Sequence, residues 1–203
     1  SLFFQYAATG TGLFRYYLHS DEFAKEIGLE PGTFSAWQQM DADNDLLLYR
    51  GLHGGVIEED IDISSYPDLL IGAVPSINLE MMRRIDRDLR QGLSEEEVRE
   101  VVLDRMADYV KYITPQFGRT HLNFQIMPMV DTSNPFHFDD VPSLEECYVV
   151  IHFQKIAKQF DMPRLLKLIP NAFMTRRDQM VVPGPQMKTA IEIILMPLIH
   201  SLI

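Results

Sequence analysis

The sequence predicts an α/β fold with a mixed sheet, and three observations carry that expectation. Leu46-Leu-Leu-Tyr49 is an apolar run too short for a helix, bounded by Asp45 and by Gly51, Gly54 and Gly55; this is the pattern of a strand buried on both faces. Residues 69–77 form a second such run and lead without a linker into a helix-period segment. His121-Leu-Asn-Phe-Gln-Ile126 alternates apolar and polar residues, which suits a strand with one face on a core and an antiparallel neighbour. Strands interleaved with helices place the chain in the α/β class.

Taken in order, Leu13 to His19 is rich in aromatic, strand-forming residues, and Ser20-Asp21 offers a helix cap before residues 22–27, closed by Gly28. Residues 34–40 are strand or loop leading through Asp41-Ala-Asp-Asn-Asp45, which lacks the glycine and terminal glutamate that a calcium loop needs. The run at 46–49 is expected to be the central strand, and its end, turning through the glycines with His53 between them, is where open α/β sheets place ligands. Pro75 restricts the ladder of the next strand or puts its end at an edge.

The helix at 78–91 should turn Met81, Met82, Ile85 and Leu89 to a core, with Arg83, Arg87 and Arg90 at i, i+4 and i+7 on another side. Guanidinium forks bind phosphate bidentately, so such a face suits a phosphate clamp, and equally a solvated basic surface. Asp88, four residues beyond Arg84, suits an ion pair or a functional carboxylate. Ser94-Glu-Glu-Glu97 reads as a capping box for a helix that keeps its spacing to Pro115. Further strands are expected at 121–130, 147–153 and 180–182, and helices at 163–169 and from Gln186, the last burying Met187, Ile191, Ile194, Leu195 and Leu198.

Composition narrows the function. Eighteen Lys and Arg against 29 Asp and Glu give a net charge of −11, which argues against nucleic-acid or membrane-surface binding. The single cysteine, Cys147, lies in an apolar run, leaving no disulfide framework or cysteine zinc site and making a reducing, cytoplasmic setting the expectation. His53 in its glycine turn is open to acid, ligand or hydrogen-bonding roles. Tyr17 and His19 share a face at strand spacing. The Asp131–Pro135 stretch is explained by Asx turns alone.

Gly51-Leu-His-Gly54, Val74-Pro-Ser-Ile-Asn-Leu-Glu80, Ile85-Asp-Arg-Asp88, Thr114-Pro-Gln-Phe117, Val130-Asp-Thr-Ser-Asn-Pro-Phe136 and Val181-Val-Pro-Gly184, in this order and spacing, resemble bacterial phosphoribulokinases from about Gly10 to the end. The resemblance implies a P-loop-kinase-like mixed β-sheet flanked by helices, lacking the N-terminal phosphate-loop unit. Residues 1–203 would then be one α/β domain, the C-terminal two-thirds of such a fold. It implies ATP- and Mg2+-dependent phosphorylation of the 1-hydroxyl of ribulose 5-phosphate in the Calvin cycle, by a homo-oligomer.

Carried over by position, Tyr17 and His19 contact the sugar phosphate, Arg87 clamps its phosphate with Arg90 beside it, and Asp88 is an essential active-site carboxylate. Arg84 stands where the family has a lysine that stabilises the transferring phosphoryl group. Arg176 matches an effector arginine, whereas His152 and Gln154 replace others and Asp104 replaces one of a pair. Arg50 occupies the position of the Walker B glutamate, and no Gly-Lys dipeptide occurs anywhere, so motifs present here support neither ATP nor metal. An inactive homologue that binds a sugar phosphate or serves as a regulatory or assembly subunit is the alternative expectation.

Overall fold

The computed structural model describes residues 2–18, 21–42 and 44–203, with the backbone alone at 21–23. His19 and Asp43 therefore lie outside the described residues. The chain forms two compact units, one of residues 1–50 with Ile203 and one of residues 51–202.

In the first unit, helix α1 (Leu2–Thr9) precedes an antiparallel ribbon. Strand β1 (Leu13–Phe14) pairs with β2 (Gln38–Gln39), helix α2 (Asp21–Glu26) lies in the connection, and a single bridge joins Tyr17 to Phe34. Backbone bonds from Leu18 to Thr33 and from Ser35 to Tyr16, each 2.9 Å, continue the pairing beyond the regular strands. The expected strand from 13 to 19 is thus shorter in regular ladder than its composition suggests.

The larger correction concerns residues 46–49. They form no strand among the described residues, and Leu48 is 85% exposed. A strand is stable only when neighbours take up its backbone N–H and C=O groups. No strand lies beside this segment among the described residues, so its apolar side chains, Leu46 and Tyr49 included, stay exposed.

The second unit begins with the turn at Gly51 to Gly55 and a small hairpin, β3 (Ile57–Glu58) with β4 (Ile61–Asp62). Strand β5 (Ile71–Pro75) follows and passes through Ser76 into helix α3 (Ile77–Arg90). Helix α4 (Glu95–Asp104) starts on the capping box: Ser94 N–H donates to Glu97 Oε2 at 2.8 Å and Ser94 Oγ accepts from Glu97 N–H. These bonds hold the Glu97 carboxyl below its ordinary range. The expected continuous helix to Pro115 is broken instead at Arg105, and a short α5 (Met106–Asp108), a π turn over Tyr109–Ile113 and a 3₁₀ turn over Thr114–Gly118 follow. Pro115 has no N–H to offer the carbonyl four residues back, and the chain unwinds towards it.

Strand β6 (Leu122–Pro128) is parallel to β5 and antiparallel to β7 (Cys147–His152). After helix α6 (Met162–Leu168) come β8 (Phe173–Arg176), β9 (Gln179–Pro183) and α7 (Met187–His200). The mixed sheet has the order β5-β6-β7-β9-β8, so Pro75 sits on an edge strand, where a missing donor is tolerated. Strand β8 was not foreseen.

Alternation sends Leu122, Phe124 and Ile126, then Cys147, Val149 and Ile151, with Met180 and Val182, to one face. Leu165, Ala190 and Ile194 from α6 and α7 seal it, and Met187, Ile191, Leu195 and Leu198 pack around them. Burying such a set at roughly 1.5–3 kcal/mol per large side chain is the main source of stability for this unit. Cys147 is fully buried, and desolvation pushes its thiol up. Among the described residues no helix is long and apolar enough to cross a membrane.

Candidate functional site

Helix α3 leaves the carboxyl end of edge strand β5, the position at which α/β sheets hold ligands. Its buried residues are Leu79, Met82, Ile85 and, unexpectedly, Asp88, whereas Leu89 is exposed. Ile85 packs on Val98 and Val102 of α4, with Phe136 and Phe138 closing the cluster. Asn78 Nδ2 donates to Thr132 O at 2.8 Å, and the loop holds itself by Asx turns from Asp131 to Ser133 N and from Asn134 to Phe136 N. The Asp131–Phe136 motif therefore braces α3 against α4.

The arginines of α3 divide by partner. Arg87 donates from Nε and Nη2 to the same Asp88 oxygen, both at 2.8 Å, while Asp88 is only 7% exposed. Arg90 is 78% exposed by side chain and pairs with Asp86 at 3.0 Å. Thus the expected stripe of Arg83, Arg87 and Arg90 is not a clamp of free cations: two of its members are matched by neighbouring carboxylates, and Arg83 lies half-buried.

Arg84 is different. Its Nε is buried without a hydrogen-bond partner, and desolvation, then Arg105 and Arg87, lower its pKa against the opposing influence of Asp88 and Glu80. A buried unsatisfied donor costs about 1–3 kcal/mol, and like charges add to that cost. Three guanidiniums facing two carboxylates form a place that an anionic oxygen would relieve on both counts. Ser76 Oγ, at the start of the same helix, is also buried without a partner. Glu80 in turn raises the Tyr109 phenol, after the larger contribution of desolvation. Sequence spacing did not single out Arg105 or Glu80; Arg105 lies past a helix whose break the periodicity did not reveal, although Glu80 stands inside a quoted motif.

The glycine turn is held from a distance. Gln116 is buried, accepts from Gly55 N at 2.9 Å and donates to Leu52 O and Tyr112 O, each at 2.7 Å; Arg119 Nη1 donates to Gly55 O at 3.1 Å. His53 is exposed on the turn these bonds fix.

On the sheet face opposite the core, Asn123, Gln125, Val150, His152 and Gln179 floor a groove of about 410 Å³ beneath Tyr109 and Phe117. His152 Nε2 lies 3.3 Å from Asp178 Oδ2, and Gln154 Nε2 donates to Phe117 O and Thr120 Oγ1 at 2.6 and 2.7 Å. Arg176 is exposed at the end of β8, on the edge opposite β5, and so is not gathered with the α3 residues. In the first unit, Tyr17 packs edge-on against Phe34 at 5.1 Å, and Arg50 is exposed outside any ladder.

For a metal, the fit is poor. No three His, Cys, Asp or Glu side chains gather to hold an ion among the described residues, Asp88 is engaged by Arg87, and Arg50 carries a charge that repels cations. The described residues do not form a magnesium site.

A family model described as the Phosphoribulokinase / Uridine kinase family matches residues 1–133. The chain is 50% identical over 200 residues to the chromosomal phosphoribulokinase of Cupriavidus necator, covering 98% of this chain and 68% of that one. It is 44% identical over 201 residues to a probable phosphoribulokinase of Escherichia coli, covering 98% and 69%. The solved phosphoribulokinase from Rhodobacter spheroides superposes with a TM-score of 0.87 at 40% identity, over 99% of this chain and 70% of that chain.

Proposed function

Because this chain belongs to the phosphoribulokinase / uridine kinase family, we propose that it acts as a phosphoribulokinase, moving the γ-phosphoryl group of ATP to the 1-hydroxyl of ribulose 5-phosphate in the Calvin cycle. The new O–P bond forms as the bond to the β–γ bridging oxygen breaks, leaving ribulose 1,5-bisphosphate and ADP. The observation that carries this reading is the Arg84–Arg87–Asp88 group with its desolvated, unpartnered guanidinium edge. Catalysis of phosphoryl transfer is largely positioning and charge stabilisation, and a fixed arginine supplies both.

In this reading Arg84 holds the transferring group, with a planar fork in place of a compact ammonium. Asp88 is the active-site carboxylate, kept in place by Arg87. Arg87 and Arg90 take the phosphate of the sugar, exchanging one neighbouring carboxylate contact for a ligand contact, and Tyr17 and His19 meet the sugar phosphate from the first unit. Arg176 serves an effector. ATP with magnesium is the general requirement of the kinase family; since the described residues offer magnesium no site, none of these roles depends on one. We place the enzyme in the cytoplasm as a homo-oligomer, consistent with a buried, lone thiol.

The test is a coupled ADP-release assay on the product of the gene that contains this chain. ADP formation should depend on ribulose 5-phosphate and disappear in Asp88→Asn; a folded protein that makes no ADP in response to this sugar contradicts the proposal.

A further inference from the structure

The ribbon of the first unit holds a cation to which the proposed reaction gives no role. The guanidinium carbon of Arg15 lies 4.0 Å from the ring centroid of Phe34 and 4.6 Å from that of Trp37. Both rings come from the opposite arm of the ribbon, so one guanidinium is gripped by two aromatic groups. Stacking of this kind occupies the flat face of the group and leaves its N–H edge, with five donors in a fixed fork, available in the plane. Arg15 forms no ion pair among the described residues. In a chain with 29 acidic residues, a fixed and unneutralised guanidinium is poised for an anion.

Two further observations point the same way. Arg15 lines a cavity of about 370 Å³ with Leu2, Gln5, Leu13, Phe14 and Trp37, all within this unit, and that volume lies within the range of small-molecule sites. Tyr17, two residues on, packs on the same Phe34 ring, so Arg15 and the residue assigned to the sugar phosphate converge on one aromatic side chain. A guanidinium that only filled a gap between rings would be indifferent to ligand; this one combines exposure, fixed orientation and an adjoining cavity.

We propose that Arg15 is a substrate-binding residue whose N–H edge, held by Phe34 and Trp37, engages the phosphate of the sugar phosphate. The identity of that ligand rests on the phosphoribulokinase reading above.

Trp37 is the chain's single tryptophan and is 59% exposed, so its emission reports directly on this group. Titration with ribulose 5-phosphate should change Trp37 emission saturably. Arg15→Met, which keeps the stem against the rings, should weaken binding measured by calorimetry about ten- to a hundredfold, the worth of a hydrogen bond to a charged group, with an unchanged unfolding midpoint. Arg15→Lys, keeping the charge without the fork, should fall between, and Arg15→Gln serves if Arg15→Met does not fold. Binding by the variant within about twofold of the parent overturns the proposal. If ribulose 5-phosphate fails to bind the parent, the substrate reading fails separately, and inorganic phosphate becomes the probe. A saturable Trp37 response that Arg15→Met removes then upholds Arg15 as a phosphate-binding residue, and no response to either anion in a folded protein refutes it.

Discussion

Arg84 and Arg90 stand six residues apart on one helix and have opposite surroundings. Arg84 is partly desolvated, crowded by Arg87 and Arg105, and has a buried Nε without a partner; Arg90 projects into solvent and is matched by Asp86. The same side chain is thus costly in one place and nearly free in the other. An exposed i,i+4 pair is worth about 0.3–0.5 kcal/mol, whereas an arginine kept against desolvation and like charge is the kind of local cost that functional sites carry.

The largest effect should come from Asp88, which Arg87 holds in both surroundings' shared middle. Asp88→Asn should reduce kcat about 10²–10⁴-fold, the range for removing a positioned acid–base or charged active-site group, measured by ribulose-5-phosphate-dependent ADP release. A similar loss of thermal stability without loss of kcat would instead make the pair purely structural.

Gln116 tests whether the turn bearing His53 is part of the same machinery. Gln116→Ala leaves Gly55 N and the carbonyls of Leu52 and Tyr112 to find other partners, so unfolding free energy should drop by about 1–3 kcal/mol. Denaturant titration gives the number, and unchanged stability would mean that the turn is not held there.

A pH scan probes the sheet edge that carries α3. His121 Nδ1 accepts from Leu70 N at 2.9 Å, and burial, then Lys155, lower its pKa from 6.5. The unfolded chain therefore takes up a proton at a higher pH than the folded one. Stability from this group is complete above about pH 6.5 and is lost as pH falls through the lowered folded value. The unfolding midpoint should decline below that pH, and His121→Gln should flatten the decline.

Arg90→Ala should produce the smallest change. A modest rise in KM for ribulose 5-phosphate, an unchanged kcat and a stability within about 0.5 kcal/mol of the parent are expected; a collapse in kcat would erase the distinction between the two arginines.

How much of this was legible beforehand depended on whether local pattern and tertiary partner agreed. The alternation at Leu122, Phe124 and Ile126 and the capping box at Ser94 and Glu97 are local devices, and the structure keeps both. Leu46 to Tyr49 has the composition of a buried strand but has no ladder partner among the described residues, and composition alone does not supply one. The helix beyond Arg105 kept its apolar spacing, yet the π turn before Pro115 is set by backbone hydrogen bonding that spacing does not encode. At the site, Arg84, Arg87 and Asp88 were readable as chemistry, but not which arginine would be left without a partner. Arg105 and Glu80 join them only through the packing of α3 with α4. Gln116, inside a quoted motif, gave no sign that its amide would tie three backbone groups together.

The central claim is that Arg84 is kept for the reaction and not for the fold. Arg84→Met retains the apolar stem and removes the crowded charge, so the account predicts kcat for ribulose-5-phosphate-dependent ADP release lower by about 10²–10³-fold with an unfolding midpoint equal to or above the parent's. A variant with parental kcat, or one whose activity falls only because it unfolds, would contradict it.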